Sequence, residues 1–85
     1  MYMFIGTSTE YLENFTRTNA LFAVSSNDMS NKDALELVRD SAEHFSKRFN
    51  GHCQQSIVGR KEEFKIFINK RVVAEFKLHI ISSVI

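Results

Sequence analysis

Three histidines and a single cysteine are the residues of this chain best suited to hold a metal ion or act as a nucleophile: His44, His52, His79 and Cys53. Their placement argues against both roles. His52 and Cys53 are adjacent in a stretch that reads as extended, so their side chains point to opposite faces and cannot share an ion. No pair stands at a recognised zinc spacing such as CxxC or HExxH. For Cys53 to attack a substrate it needs a base and an oxyanion site, and the sequence supplies neither. The plainer reading is solvent-facing histidines, with His44 on the polar side of a helix, and a small core-facing thiol.

Asp40 and Glu43 could be taken for a carboxylate pair, but Arg39, Lys47 and Arg48 share their helical face, which makes them part of a solvated ion-pair surface. The three glycines, Gly6, Gly51 and Gly59, are isolated, so there is no phosphate-cradling loop of the GxGxxG or GxxxxGK kind. The expectation is a non-enzyme without cofactor or metal.

The remaining chemistry is charge and aromatic surface. Residues 1–50 carry five basic and seven acidic side chains, a net −2; residues 51–85 carry six and three, a net +3. The basic set Arg60, Lys61, Lys65, Lys70 and Arg71, with Phe67 beside Lys65 for base stacking, makes the candidate nucleic-acid contacts. Against that reading, Arg60 and Lys61 fall in one turn and Lys70 and Arg71 in another at the opposite end of a hairpin. Glu63 and Glu75 are moreover placed to neutralise Lys77 and Lys65.

These side chains need a scaffold. Eighty-five residues, 44% hydrophobic and 25% charged, suit one α+β domain over 1–85 with a modest core. One cysteine permits no internal disulfide, and the opening MYMFIG has no basic n-region or long apolar run. Nor does any stretch approach a membrane span, so the expected location is the cytoplasm.

The best-marked element is a helix over Asn31–Phe49. Ser30 is its N-cap and Asp33 lies near its first amides. Ala34, Val38, Ala42, Phe45 and Phe49 form an apolar stripe, and Asn50-Gly51 is the stop, with Gly51 free to take positive φ. Thr7 and Glu10 stand at capping-box spacing, which predicts a short helix over Ser8–Thr16 with Tyr11, Leu12 and Phe15 facing the core. Ala20–Ser26 reads as a strand, as does Tyr2–Ile5. After Gly51 the period becomes two, giving strands at Cys53–Val58, Glu62–Ile68 and Val72–Ile81. In the last hairpin a two-residue Asn69-Lys70 turn would set Phe64 against Glu75. A three-residue loop instead sets Phe64 against Phe76, Ile66 against Ala74, Ile68 against Val72, Lys65 against Glu75 and Glu63 against Lys77, and is preferred.

In that register Ile80–Ile85 outruns its hairpin partner while staying apolar on both faces. It needs cover from the N-terminal strand, the Ala20–Ser26 strand or a second copy; the expectation is a homodimer through this C-terminal strand. The predicted architecture is a two-layer α+β domain, with a sheet of about four strands, three of them C-terminal, packed against one main helix and one short N-terminal helix. The function expected of it is that of a small non-catalytic protein-binding module: an inhibitor, adaptor or regulator of a larger partner, in a size class common among phage and mobile-element products. Phe67, Val73, His79, Ile81 and Ile85 are the partner-binding residues. The competing reading is a nucleic-acid-binding domain using the basic turns and Phe67.

Overall fold

The computed structural model of the chain describes residues 2–58 and 61–82. Its elements in order are β1 (Tyr2–Tyr11), β2 (Thr16–Ser25), α1 (Asn31–Arg48), β3 (His52–Val58), β4 (Lys61–Ile68) and β5 (Arg71–Ser82). All five strands form one antiparallel sheet in the order β2-β1-β5-β4-β3. Strand makes up 59% and helix 23% of it, so the sheet organises the fold and the expected two-helix arrangement is overturned.

The discrepancy lies at the N-terminus. Residues 8–16, read as a helix, are instead the end of β1, a loop and the first residue of β2. Phe4, Gly6 and Ser8 are the buried positions of β1, a period of two that Gly6 and Ser8 disguise because neither is a large apolar residue. Non-local pairing decides the outcome: β1 has β2 on one side and β5 on the other, which satisfies its backbone twice over.

β1 also supplies a backbone partner for the C-terminal overhang, although Ile80 and Ile81 stay about half exposed. Phe4 lies opposite Ile80, Met3 opposite Ile81 and Tyr2 opposite Ser82. Through Ser82 the overhang is therefore paired along one side within the chain, while its pairing with β4 ends at Lys77. Residues 83–85 lie outside the described residues.

α1 starts and stops where its local signals place it. Ser30 takes extended geometry (φ −77°, ψ 159°), and its Oγ accepts from the Asp33 amide at 3.1 Å. At the other end the Gly51 amide donates to the Ser46 carbonyl at 2.7 Å and that of Asn50 to Lys47 at 3.4 Å, a Schellman closure. The left-handed residue there is Asn50 (φ 53°) rather than Gly51. Gly51 is needed for space instead: a Cβ on it would lie 2.9 Å from Ile66 Cγ2 and 3.2 Å from the Phe67 carbonyl oxygen.

The helix buries Ala34, Val38, Ala42 and Ser46, and Val38 and Ala42 pack with Phe64, Ile66, Ala74 and Phe76 in the core. Ser46 tolerates burial because its hydroxyl donates to the Gly51 carbonyl at 2.8 Å. The apolar stripe thus runs differently from the one expected. Phe45 is half-buried against Phe76 and Phe49, while Phe49 itself is 47% exposed.

The β4–β5 hairpin takes the turn of one alternative and, beyond Phe67, the pairing of the other; the expected Ile68–Val72 pair is not formed. Its turn is the two-residue Asn69-Lys70, both at positive φ (51° and 64°), the geometry of a type I′ turn, with Ile68 opposite Arg71. A bulge follows: Phe67 pairs with Val72 but Ile66 with Ala74, leaving Val73 as the extra residue. Beyond the bulge the pairs are the expected ones, Lys65 with Glu75, Phe64 with Phe76 and Glu63 with Lys77. The preferred loop length was wrong, and the bulge is what reconciles a short turn with the apolar pairing.

Candidate functional site

Two hairpin ends meet at one end of the sheet. The β1–β2 loop is closed by the Leu12 amide donating to the Phe15 carbonyl at 2.9 Å. Below it, the Glu10 carboxylate accepts from Arg17 Nε at 2.9 Å, tying the two strands together across the hairpin. This loop stands beside the start of β5, because Glu10 pairs with Ala74.

Between the loop and the Asn69-Lys70 turn lies a cleft of about 540 Å³. Ile68, Val72 and Val73 line it, with Leu12 and Tyr11 at one side and Arg71 at its edge. Both valines reach it because the bulge at Val73 breaks strict alternation. A second depression of about 560 Å³ lies on the other flank of the turn, beside His52, Phe67 and Lys70. Exposed apolar side chains gather at this end, with Tyr11 40%, Leu12 41% and Phe15 61% exposed, and again at the far end, where Tyr2, Ile80 and Ile81 are about half exposed.

Under this end, on the sheet face opposite α1, runs a charged band. Lys77 Nζ lies 3.3 Å from Glu75 and 3.7 Å from Glu63, so one cation serves two carboxylates. The expected Lys65–Glu75 pairing is present in register but not as an ion pair among the described residues. Desolvation pulls the Lys77 ammonium down, yet the hydrogen bond it donates to Glu75 and the charges of Glu63 and Glu75 outweigh it and hold its pKa above the usual lysine value. Burial, followed by the Glu75 carboxylate, pushes the Tyr11 phenol up.

The residues singled out from the sequence do not form one site. Phe67 and Val73 are half-buried at the hairpin end, Phe67 opposite His52. Val73 packs partly against the core. His79 and Ile81 belong to the far end of β5, about 20 and 26 Å from Val73 at strand rise. There His79 faces Ile5 across the ladder and its Nε2 lies 2.9 Å from Thr7 Oγ1. Ile85 and Arg60 are outside the described residues. Lys61 opens β4 at the far end, Lys65 lies mid-sheet, and Lys70 and Arg71 occupy the turn, so these basic residues are dispersed.

Cys53 sits on the helix side of β3, where burial and then the Glu43 charge push its thiol up, opposite in sign to the shift of an activated cysteine. No cluster of three metal-ligating side chains occurs among the described residues. No helix among them is long and apolar enough to cross a membrane.

Sequence reasoning missed Tyr11, Leu12 and Phe15, which it assigned to the core. The available signal was Thr7, Thr9, Thr16 and Thr18: β-branched residues flanking Leu12-Glu13-Asn14-Phe15 mark a hairpin rather than a helix. No known protein family, curated protein or solved structure matches the chain, and the site is read from its own geometry.

Proposed function

We propose that this chain is a small non-catalytic protein-binding module that engages its partner through the paired hairpin ends. The observation that carries the reading is the exposure of Tyr11 and Leu12 at a cleft they share with Ile68, Val72 and Val73, with Phe15 exposed in the same hairpin loop. Exposed aromatic and aliphatic side chains grouped around a pocket are the usual anchors of a protein interface. The rim carries Glu13 and Arg71, one charge of each sign, which suits a polar surround better than it suits a polyanion track. Nucleic-acid binding has less support, because its basic residues are spread over both ends of the sheet and Glu75 lies directly opposite Lys65.

The test compares immobilised wild-type protein with a Leu12→Ser, Phe15→Ser variant, with and without nuclease. Proteins retained by the wild type and lost from an equally stable variant support the reading. Identical capture by both, or capture that nuclease abolishes, would sink it.

A further inference from the structure

The sheet has two open edges, β2 and β3, and β2 is the longer, ten residues against seven. From Thr18 to Ser25 it carries no charge and no proline, the devices that usually blunt an edge, and its one charged residue, Arg17, is held by Glu10. The direction of its backbone groups follows from two hydrogen bonds, Ser26 amide to Tyr2 carbonyl and Leu12 amide to Phe15 carbonyl, at opposite ends of the hairpin. Even-numbered β1 residues therefore bond to β2, and their partners Val24, Phe22, Asn19 and Arg17 face inward. The residues between them, Thr16, Thr18, Ala23 and Ser25, turn N–H and C=O out to solvent.

The sequence parity of these outward residues changes along the strand, from even to odd. The cause is the bulge: Gly6 pairs with Phe22 but Thr7 with Ala20, and Leu21 is the additional residue. A regular strand laid along this edge matches one half and falls out of phase in the other. A second copy of β2, antiparallel about a two-fold axis at Ala20-Leu21, changes phase at the same point. Thr16 then meets Ser25 of the other copy and Thr18 meets Ala23, on both sides of the axis, and every pair joins two outward-facing residues. Their side chains are small and lie on the sheet face away from α1, so nothing bulky or charged obstructs the approach. Arg17 would lie opposite Val24 and Asn19 opposite Phe22, with no like-charge pair.

We infer that β2 is a self-complementary edge through which two copies of the chain join into one continuous sheet, the bulge at Leu21 selecting a second copy over an unrelated strand. This is the two-fold, same-patch geometry of an isologous interface.

The test measures association by sedimentation from low to high micromolar concentration, alongside residue-resolved amide exchange. The expected result is a dimer in which the amides of Thr16, Thr18, Ala23 and Ser25 gain protection with concentration. Ala23→Pro removes an outward donor while leaving the inward bonds of Phe22 and Val24, and it weakens association by about tenfold or more. Thr18→Lys, at an exposed side chain, does the same by charge and stands in should the proline variant not fold. Three results overturn the inference. They are a monomer at every concentration, a dimer that leaves those four amides unprotected, and a dimer that survives Thr18→Lys with its fold intact. Protection that arises only on adding another protein would assign the edge to a foreign strand, and would equally refute self-pairing.

Discussion

At position 70 a lysine occupies the second place of a type I′ turn at φ 64°, where its Cβ crowds the backbone and glycine is the favoured residue. Asn69 at φ 51° is easier to accept, since asparagine visits this region with less strain. Lys70→Gly is therefore expected to stabilise the protein by about 0.5–1 kcal/mol, read as a higher urea midpoint at unchanged slope. A lower midpoint would show that the lysine side chain contributes more than its backbone costs. Gly6 is the opposite case. Phe22 lies over it across the β1–β2 ladder, and a Cβ there would come within 2.8 Å of the ring Cζ and closer still to Cε1. Gly6→Ala must displace that ring and should cost about 1–3 kcal/mol. Because the damage acts through one contact, Gly6→Ala and Phe22→Ala should combine to much less than the sum of their separate effects. Simple additivity in the double-mutant cycle would show that the strain lies elsewhere.

Among the elements, those specified by local chemistry were legible and those specified by distant partners were not. Ser30, Asp33, Asn50 and Gly51 mark the ends of α1 without reference to the rest of the chain, and the helix begins and ends at them. The β4–β5 register could be read because Phe64, Ile66, Ala74 and Phe76 alternate with charges on both strands. β1 could not, because Gly6 and Ser8 occupy its inner positions and its identity as a strand comes from β5, more than sixty residues away. The candidate site disappeared with it: Tyr11, Leu12 and Phe15 have the spacing of a helical core face and become a hairpin end only once β1 is extended. The helix stripe was legible in outline but not in depth. Val38 and Ala42 are fully buried while Phe49, the C-cap just past the end of α1, is half exposed. Phe64→Ala, at 2% exposure, should thus cost about 3–5 kcal/mol, and Phe49→Ala about 1 kcal/mol or less. Comparable losses from the two, measured by thermal or urea unfolding, would contradict this packing.

The whole molecule is a single helix on a sheet too wide for it. Four inter-strand spacings span about 19 Å, whereas a helix with its side chains is about 10–12 Å across. α1 packs against β5, β1, β4 and β3, so β2 and the hairpin end are left outside its main contacts. The molecule is elongated, 44 × 24 × 24 Å, a long axis that only the strand direction can supply, since the twelve residues of β5 alone span about 40 Å. Its stability is limited from the alkaline side by three groups at different places. The Cys53 thiol is pushed up by burial and then by Glu43, and the Tyr11 phenol by burial and then by Glu75. Lys77 is held up by Glu75 and Glu63 against its own desolvation. Each binds its proton more tightly in the folded state than in the unfolded chain. Between the two pKa values the folded state carries the extra proton, so unfolding free energy falls as pH rises. The contribution is fully present below the unfolded values, about 8.5 for cysteine and about 10 for tyrosine and lysine, and is lost above them. Tyr11 and Lys77 contribute less than their shifts suggest, because they are 40% and 37% exposed and solvent screens the charges around them. The urea midpoint should accordingly hold level from neutrality to about pH 8 and decline steadily beyond it. Cys53→Ala should abolish the earliest part of that decline and leave the later part, which belongs to Tyr11 and Lys77. A midpoint that stays level or rises up to about pH 10.5 would mean that none of the three protons is held more tightly by the fold.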